Sequence, residues 1–291
     1  MERSGDLSEL HVGCAMWTNK AWAGSSIPVS TPRRGELAAY SRVVNAVEGN
    51  TTFYALPSNE VASHWAASVP DNFRFMFKLP RQVTHERKLR DVEQAVGVFL
   101  AATEPCHALM EPIAIQLPAS FGPDSLPVLD AFLSTRSGEF RWAVEVRHQL
   151  FFDGGEHEHR LNNLLFERRA DRIILDSRAL FAGPRSTPAE HEAFENKPRL
   201  PVLAVATNDR PVVRFIGQTS AEENPAFWAP WIDTVVRWIQ DGRRPMVFIH
   251  TPDNADAPAL CRRFHHEVAM RTSLISPLPD APAVGPPKLF D

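Results

Sequence analysis

The sequence predicts a single (β/α)8 barrel of the TIM type with elaborated loops after its strands, on three observations. Eight short apolar runs alternate with helix-like stretches along 291 residues. Each run carries a polar residue near its C-terminal end, on one face of the period-two alternation of strand side chains. The segments that follow runs are long (18–35, 80–88, 148–157, 177–188), whereas those that precede them are often short (70–72, 137–139, 170–171, 242–245). A parallel barrel wrapped in helices elaborates the loops at its strand C-termini and holds its chemistry there.

The first run, 11–17, ends at Trp17, and a short helix is expected at 36–42. The second, 43–53, carries Glu48 and Asn50. It is followed by a helix at 59–68 with Ser58 as N-cap and Val61, Trp65 and Val69 at helical spacing. In the third, 73–79, Phe73, Phe75, Phe77 and Leu79 oppose Met76 and Lys78; a helix at 92–103 follows. The fourth, 112–117, ends in Gln116 before a helix at 125–135. In the fifth, 140–147, Trp142, Val144 and Val146 oppose Ala143, Glu145 and Arg147, and a helix at 158–169 comes next. The sixth, 172–176, ends in Asp176 and is followed by a weaker helix at 189–195. Residues 202–206 also read as a strand, which leaves room for a ninth strand or an insertion. The seventh, 212–217, carries Arg214, and the helix at 225–240 shows Trp228, Trp231, Ile232, Val235 and Ile239 on one face. The eighth, 246–251, ends at His250, before a helix at 257–269. One strand face is therefore greasy throughout, and the other is expected to start small or apolar and to end charged.

Hydrophobic residues make up 44% of the chain, enough for a large core, and the net charge of -4 argues against a wide duplex-binding surface. No stretch approaches the roughly 20 apolar residues needed to span a bilayer. Residues 1–10 are polar and acidic, unlike a signal peptide, and are expected to be disordered ahead of a barrel domain at 11–275. Residues 276–291 form a Pro-rich tail whose end, with Leu289 and Phe290, could dock a partner groove, although a frayed terminus is the plainer reading. The three cysteines are odd in number and widely spaced, which suits a reducing cytosol rather than a disulfide framework; a cytoplasmic location follows as an expectation. Cys14, on the opposite parity from Trp17, reads as a core filler.

Several segments resemble the YecE-like family, domain of unknown function 72. They are Val12-Gly13-Cys14-Ala15-Met16-Trp17, Glu48-Gly49-Asn50-Thr51-Thr52-Phe53-Tyr54, Phe75-Met76-Phe77-Lys78-Leu79-Pro80 with Thr84-His85, Gln116-Leu117-Pro118, Glu145-Val146-Arg147-His148 and Val213-Arg214-Phe215-Ile216-Gly217. The resemblance spans roughly residues 11–270 and implies a TIM-type barrel, but no reaction. Where the family has a His before the Gly of the seventh strand, this chain has Ile216. Where the eighth strand ends in paired Asn residues, it reads His250-Thr251-Pro252-Asp253-Asn254.

The expected rim brings together Glu48, Glu145 and Asp176 as negatives, Lys78, Arg147 and Arg214 as positives, and His250 as either. Such a ring can satisfy itself as a buried ion network, or serve acid–base work. Lys78 could pair with Glu48 or Glu145, hold a phosphate or carboxylate, or form a Schiff base if desolvated. Glu145 and Asp176 are candidate general acid and base, and Arg147 and Arg214 suit bidentate binding of an anion, or a clamp on carboxylates. Asn50, Thr52, Tyr54, His85 and Gln116 could orient a polar substrate, and Trp17 could be a stacking wall or ordinary core. No cofactor is expected. Metal binding has weak support: Glu156-His157-Glu158-His159 lies in a polar loop entering a helix, and His85, His148 and His250 could converge, but Lys and Arg occupy places a metal centre would need. No dinucleotide, Walker or Gly-x-Ser-x-Gly motif occurs.

The reading that follows is an enzyme acting on a small anionic or polyhydroxylated substrate at the rim, by metal-independent acid–base or Lys-assisted hydrolase, lyase or isomerase chemistry. The alternatives are a nucleotide- or nucleic-acid-processing enzyme and a non-catalytic ligand-binding or adaptor barrel.

Overall fold

Period-two alternation in the apolar runs is realised as eight parallel strands in the computed structural model, which describes residues 9–136, 138 and 140–282. The strands are β1 (His11–Cys14), β2 (Ala46–Gly49), β3 (Arg74–Phe77), β4 (Ile113–Gln116), β5 (Trp142–Glu145), β6 (Asp171–Asp176), β7 (Val212–Ile216) and β8 (Met246–His250). Around them lie α1 (Glu36–Tyr40), α2 (Thr51–Tyr54), α3 (Asn59–Ala67), α4 (Glu93–Thr103), α5 (Leu126–Ser134), α6 (Glu156–Glu167), α7 (Arg178–Ala182), α8 (Pro188–Asn196), α9 (Asn224–Gln240) and α10 (Ala257–Ala269). Sequence neighbours pair in order, and β1 pairs with β8. The seam between β3 and β4 is closed by shorter contacts: Leu79 N donates to Ala114 O at 3.0 Å and Glu111 N to Phe75 O at 2.9 Å. The result is a TIM-type barrel, as the sequence predicts.

The outward strand faces and the helices share the larger core. Phe75 and Phe77 stack along β3 and Phe73 meets Phe75 edge-on, with Trp65 of α3 against Phe77 and Trp17 edge-on to Phe75. Trp228, Trp231, Ile232, Val235 and Ile239 of α9 are buried, the face expected from their spacing; each contributes roughly 1.5–3 kcal/mol of burial. Cys14 and Cys261 are buried in this shell as packing residues.

The interior is layered. Its middle tier is apolar, from Ala46, Met76, Ala114, Ala143, Ile173, Val212, Met246 and Phe248. Gly13 has no room for a side chain, because a Cβ there would overlap the carbonyl oxygen of Ala46. The tier beneath is charged, which corrects the expectation of an apolar start. Arg210, 2% exposed, and Arg141 both pair with Glu111 at 2.6 Å, Arg141 also reaches Asp209, and Arg244 meets Asp209 at 3.1 Å. Asp171 and His11 are buried beside this network.

Three further expectations are revised. The second strand does not run to Phe53: Asn50 turns into helical geometry and α2 follows, with Thr52 Oγ1 donating to Lys78 O at 2.7 Å. Residues 202–206 form no strand, because β5 and β7 already occupy both edges of β6. Instead the chain descends from the rim, where Ser177 Oγ donates to Pro198 O at 2.9 Å, to the base, where Thr207 Oγ1 donates to Ala170 O at 2.8 Å. An irregular segment thus replaces the returning crossover helix of the sixth unit. Leu10, expected in a disordered segment, is buried in the shell, and residues 275–280 with Pro282 line a groove of about 630 Å³ at the base with Leu10 and Val43. Leu289 and Phe290 lie outside the described residues. No helix among the described residues is long and apolar enough to cross a membrane.

Candidate functional site

Above the apolar tier, the next inward position on each strand projects into the mouth of the barrel. Glu48 comes from β2, Lys78 from the residue after β3, Gln116 from β4, Glu145 from β5, Arg214 from β7 and His250 from β8. All are buried, Gln116 being the most exposed at 9%.

Glu48 is the hub. Its Oε1 accepts from Lys78 Nζ at 2.7 Å and Arg214 Nη2 at 2.9 Å, and its Oε2 from Arg214 Nε at 2.8 Å and His250 Nε2 at 2.9 Å. Arg214 spends its remaining terminal nitrogen on Glu145 Oε2, and Glu145 Oε1 accepts from Arg147 Nε at 2.9 Å and Nη2 at 2.8 Å. Lys78 Nζ also donates to Gln116 Oε1 at 3.0 Å. A carboxylate offers only acceptors, so His250 must carry its proton on Nε2.

Protonation follows from this wiring. Burial works against the charge on Glu48, but Arg214, Lys78 and His250 outweigh it and hold the carboxyl well below its usual range. Burial opposes Glu145 as well, and Arg214 and Arg147 bring it down to about 2. Burial and the neighbouring Arg214 guanidinium lower Lys78 to about 8 against the pull of Glu48. Burial lowers His250 to about 4, so it is neutral at pH 7 beside a permanently charged guanidinium.

Asp176 does not join this ring, which corrects its expected place. The alternation that turns Ile173 inward turns Asp176 outward, and Leu175 takes the interior position. Its buried carboxylate accepts from Trp231 Nε1 at 2.8 Å and from Arg178, at N and Nε (3.0 Å each) and Nη2 (2.7 Å). It ties β6 to α9 and α7. Trp17 also lies in the shell, 5.1 Å edge-on from Trp65. Asn50 Nδ2 donates to Ala15 O at 2.8 Å and joins the ends of β2 and β1; Thr52 fixes the Lys78 backbone. Tyr54 stands on α2, 79% exposed, away from the ring. His85, on a π-helical turn (Gln82–Glu86), holds Thr84 Oγ1 at 3.0 Å and the edge of Phe53; burial and Arg147 lower its pKa, so it borders the ring on the Arg147 side.

The histidines do not converge. His148 Nδ1 accepts from Leu150 N at 3.3 Å, and its ring packs by Gly122. Glu158 Oε2 accepts from Gly154 N at 2.9 Å and closes the turn into α6. Among the described residues no cluster of three or more His, Cys, Asp or Glu could hold a metal ion. Lys197 is the rim residue that sequence reasoning missed. It follows α8, is half-buried, and is lowered by burial and then by Arg214, with Glu48, Glu145 and Arg147 also within electrostatic reach. A lone lysine between helix and Pro198 carries no sequence signal.

The site therefore has two tiers. The floor is a self-paired network of Glu48, Arg214, Glu145, Lys78 and His250. Above it, Arg147 (side chain 22% exposed), Lys197 and His85 are half-buried.

The family model described as "Protein of unknown function DUF72" matches residues 11–284. The chain is 37% identical over 273 residues to the UPF0759 protein YecE of Escherichia coli K12, covering 94% of this chain and 97% of that one. Two solved structures share its fold: a DUF72 family protein from Enterococcus faecalis V583 (TM-score 0.68, 16% identity, 89% of this chain and 95% of that one) and another from Thermotoga maritima MSB8 (TM-score 0.67, 19% identity, 90% and 99%).

Proposed function

Since the chain belongs to the DUF72 family, whose description names no reaction, we propose its function from the rim itself: an enzyme that binds a small anionic substrate at the strand C-termini and uses Lys78 for proton transfer or amine chemistry. One observation carries this reading. Lys78, Arg147, Arg214 and Lys197 face two carboxylates, Glu48 and Glu145, so the mouth holds surplus positive charge. A purely structural network gains nothing from that surplus, because unpaired buried cations cost free energy.

Arg214 and Glu48 are too completely engaged to meet a substrate, and their work is positioning. They fix Lys78 between Glu48 and Gln116 and keep it near the protonation midpoint at mildly alkaline pH, where a lysine can both give and take a proton. His85, its pKa lowered by burial and by Arg147, stands half-buried at the border of the ring. Asp176 has no part in this chemistry. Nucleotide processing gains no support from the geometry, since Trp17 and Tyr54, the candidate stacking residues, stand outside the ring.

The test is a thermal-shift panel of sugar phosphates, keto acids and dicarboxylates on the intact chain and on Arg147→Met. The reading expects at least one compound to raise the melting temperature of the wild type and not of the variant. A panel that leaves both proteins unmoved, with crystals soaked in citrate showing no density over Arg147, overturns it.

A further inference from the structure

We propose that Lys197 and Arg147 together hold a dianionic headgroup, a phosphate monoester or a dicarboxylate, and that the irregular sixth βα excursion delivers this lysine to the barrel mouth. The inference deepens the anion-site reading and rests on it.

Lys197 is fixed from both sides. Its N donates to Ala193 O at 3.0 Å at the end of α8, and the next residue is pinned over β6 by the Ser177 Oγ to Pro198 O bond of 2.9 Å. The start of α8 is locked by a capping box: Thr187 Oγ1 accepts from Glu190 N at 3.2 Å, and Glu190 Oε2 accepts from Thr187 N at 2.9 Å. The side chain so placed has no ion pair or hydrogen bond to any described residue, yet it lies within electrostatic reach of Arg214, Glu48, Glu145, Arg147 and His250.

Every other cation of the cluster has a carboxylate at hydrogen-bond distance: Lys78 on Glu48 at 2.7 Å, Arg214 on Glu48 at 2.8 Å, and Arg147 on Glu145 at 2.8 Å. Flanking Arg178 is balanced by Asp176 at 2.7 Å, and Arg81 faces Glu86 at 3.9 Å. His85 and His250 are neutral at pH 7. Four cations against two carboxylates leave a surplus of two, which a dianion neutralises and a monoanion does not. An ammonium half out of water beside two guanidiniums is costly without such a counter-charge. The donors match a dianion in kind as well as in charge. Lys197 offers three N–H groups as a compact point charge, and Arg147 retains the N–H groups that Glu145 does not use.

The experiment is calorimetric titration of the full chain with inorganic phosphate and with malonate at pH 7.5 and constant ionic strength, with acetate as the monoanion control. The proteins are wild type, Lys197→Met, Lys197→Arg and Arg147→Met. The expected result is saturable one-site binding of phosphate or malonate, weakened at least about tenfold (about 1.4 kcal/mol) by Lys197→Met and largely kept by Lys197→Arg. The tighter of the two ligands identifies the headgroup. Binding untouched by Lys197→Met but lost in Arg147→Met overturns the role of Lys197 while the anion-site reading stands. Acetate binding as tightly as either dianion, or no binding of phosphate or malonate by the wild type, overturns the dianion inference; the separate thermal-shift panel then decides the broader reading. Lys197 is half-buried and unpaired, so in the absence of anion the circular dichroism melt of Lys197→Met should equal or exceed that of the wild type and that of Lys197→Arg should match it, which separates lost binding from lost folding.

Discussion

Glu48 carries more of the rim than any other residue, and its substitution should show it. Glu48→Gln removes the charge that Arg214, Lys78 and His250 share, and leaves two buried cations against Glu145 alone. The expected cost is about 3–5 kcal/mol in urea unfolding. Lys78→Met should cost under about 1 kcal/mol or be stabilising, because Glu48 keeps its bidentate guanidinium and the stem is replaced by an apolar one of similar length. A large loss from Lys78→Met would mean that the lysine is structural. Acid sensitivity also belongs to single residues. His11, His250 and His265 are lowered by burial to about 3, 4 and 4, below the ordinary 6.5. Between these values and 6.5 the unfolded chain binds protons that the folded chain refuses, so stability should fall as pH drops from about 6.5 toward 4. Glu145 adds its loss lower, as pH falls from 4.5 through about 2. Denaturation midpoints measured from pH 7 to pH 4 check the sign; a flat profile would contradict the buried neutral imidazoles. The residue scale also shows where alternation can be read and where it misleads. Glu48, Lys78, Gln116, Glu145, Arg214 and His250 are correctly placed by alternation and strand ends. Asp176 is misplaced when its charge is weighed above the parity of its own strand, in which Ile173 and Leu175 already claim the interior.

Among the elements, the sixth βα unit departs furthest from the sequence pattern. Residues 202–206 have the composition of a strand, and only tertiary structure rejects it, since β6 has no free edge. The start of α8, by contrast, is written in the chain: Thr187-x-x-Glu190 has the spacing of a capping box. Glu190 binds more than its own helix, for its Oε1 accepts from Thr219 Oγ1 at 2.8 Å and so ties the excursion to the loop after β7. Thr187→Ala should therefore cost about 1 kcal/mol, and Glu190→Ala should also release that loop. Hydrogen exchange is the measurement: amides at 186–197 should exchange faster in both variants, and those at 217–220 in Glu190→Ala only. Lys197 sits at the far end of the same helix, so both variants should weaken anion binding without touching an anion-contacting residue. Unchanged exchange at 186–197 would show that α8 is held by packing of Ala193 and Phe194 rather than by its cap.

At the scale of the whole molecule, the barrel axis separates two charged layers with an apolar tier between them, and the layers should respond oppositely to mutation. The charge at the base is legible only in part, because Arg141, Asp171, Arg210 and Arg244 stand at strand starts where charged residues usually mean solvated loop ends. Closure of the barrel is what brings them together. That layer is short of open cations: Arg210 is almost wholly enclosed on Glu111, and Arg141 divides itself between Glu111 and Asp209. The rim has the reverse balance, with open donors at Arg147 and Lys197 over a paired floor. A barrel concentrates function at the strand C-termini and stability at the opposite end. Glu111→Gln should accordingly cost about 3 kcal/mol or more in unfolding, by leaving the enclosed Arg210 only Glu9 at 3.7 Å and Arg141 only Asp209, and leave phosphate or malonate binding unchanged. Lys197→Met should do the converse, weakening binding with no loss of stability. The two sites lie at opposite ends of the strands and share no partner, so the double variant should show the sum of both effects. A Glu111 variant that folds and has lost its anion binding would mean that the apolar tier transmits strain between the layers, and that the base belongs to the functional site as well.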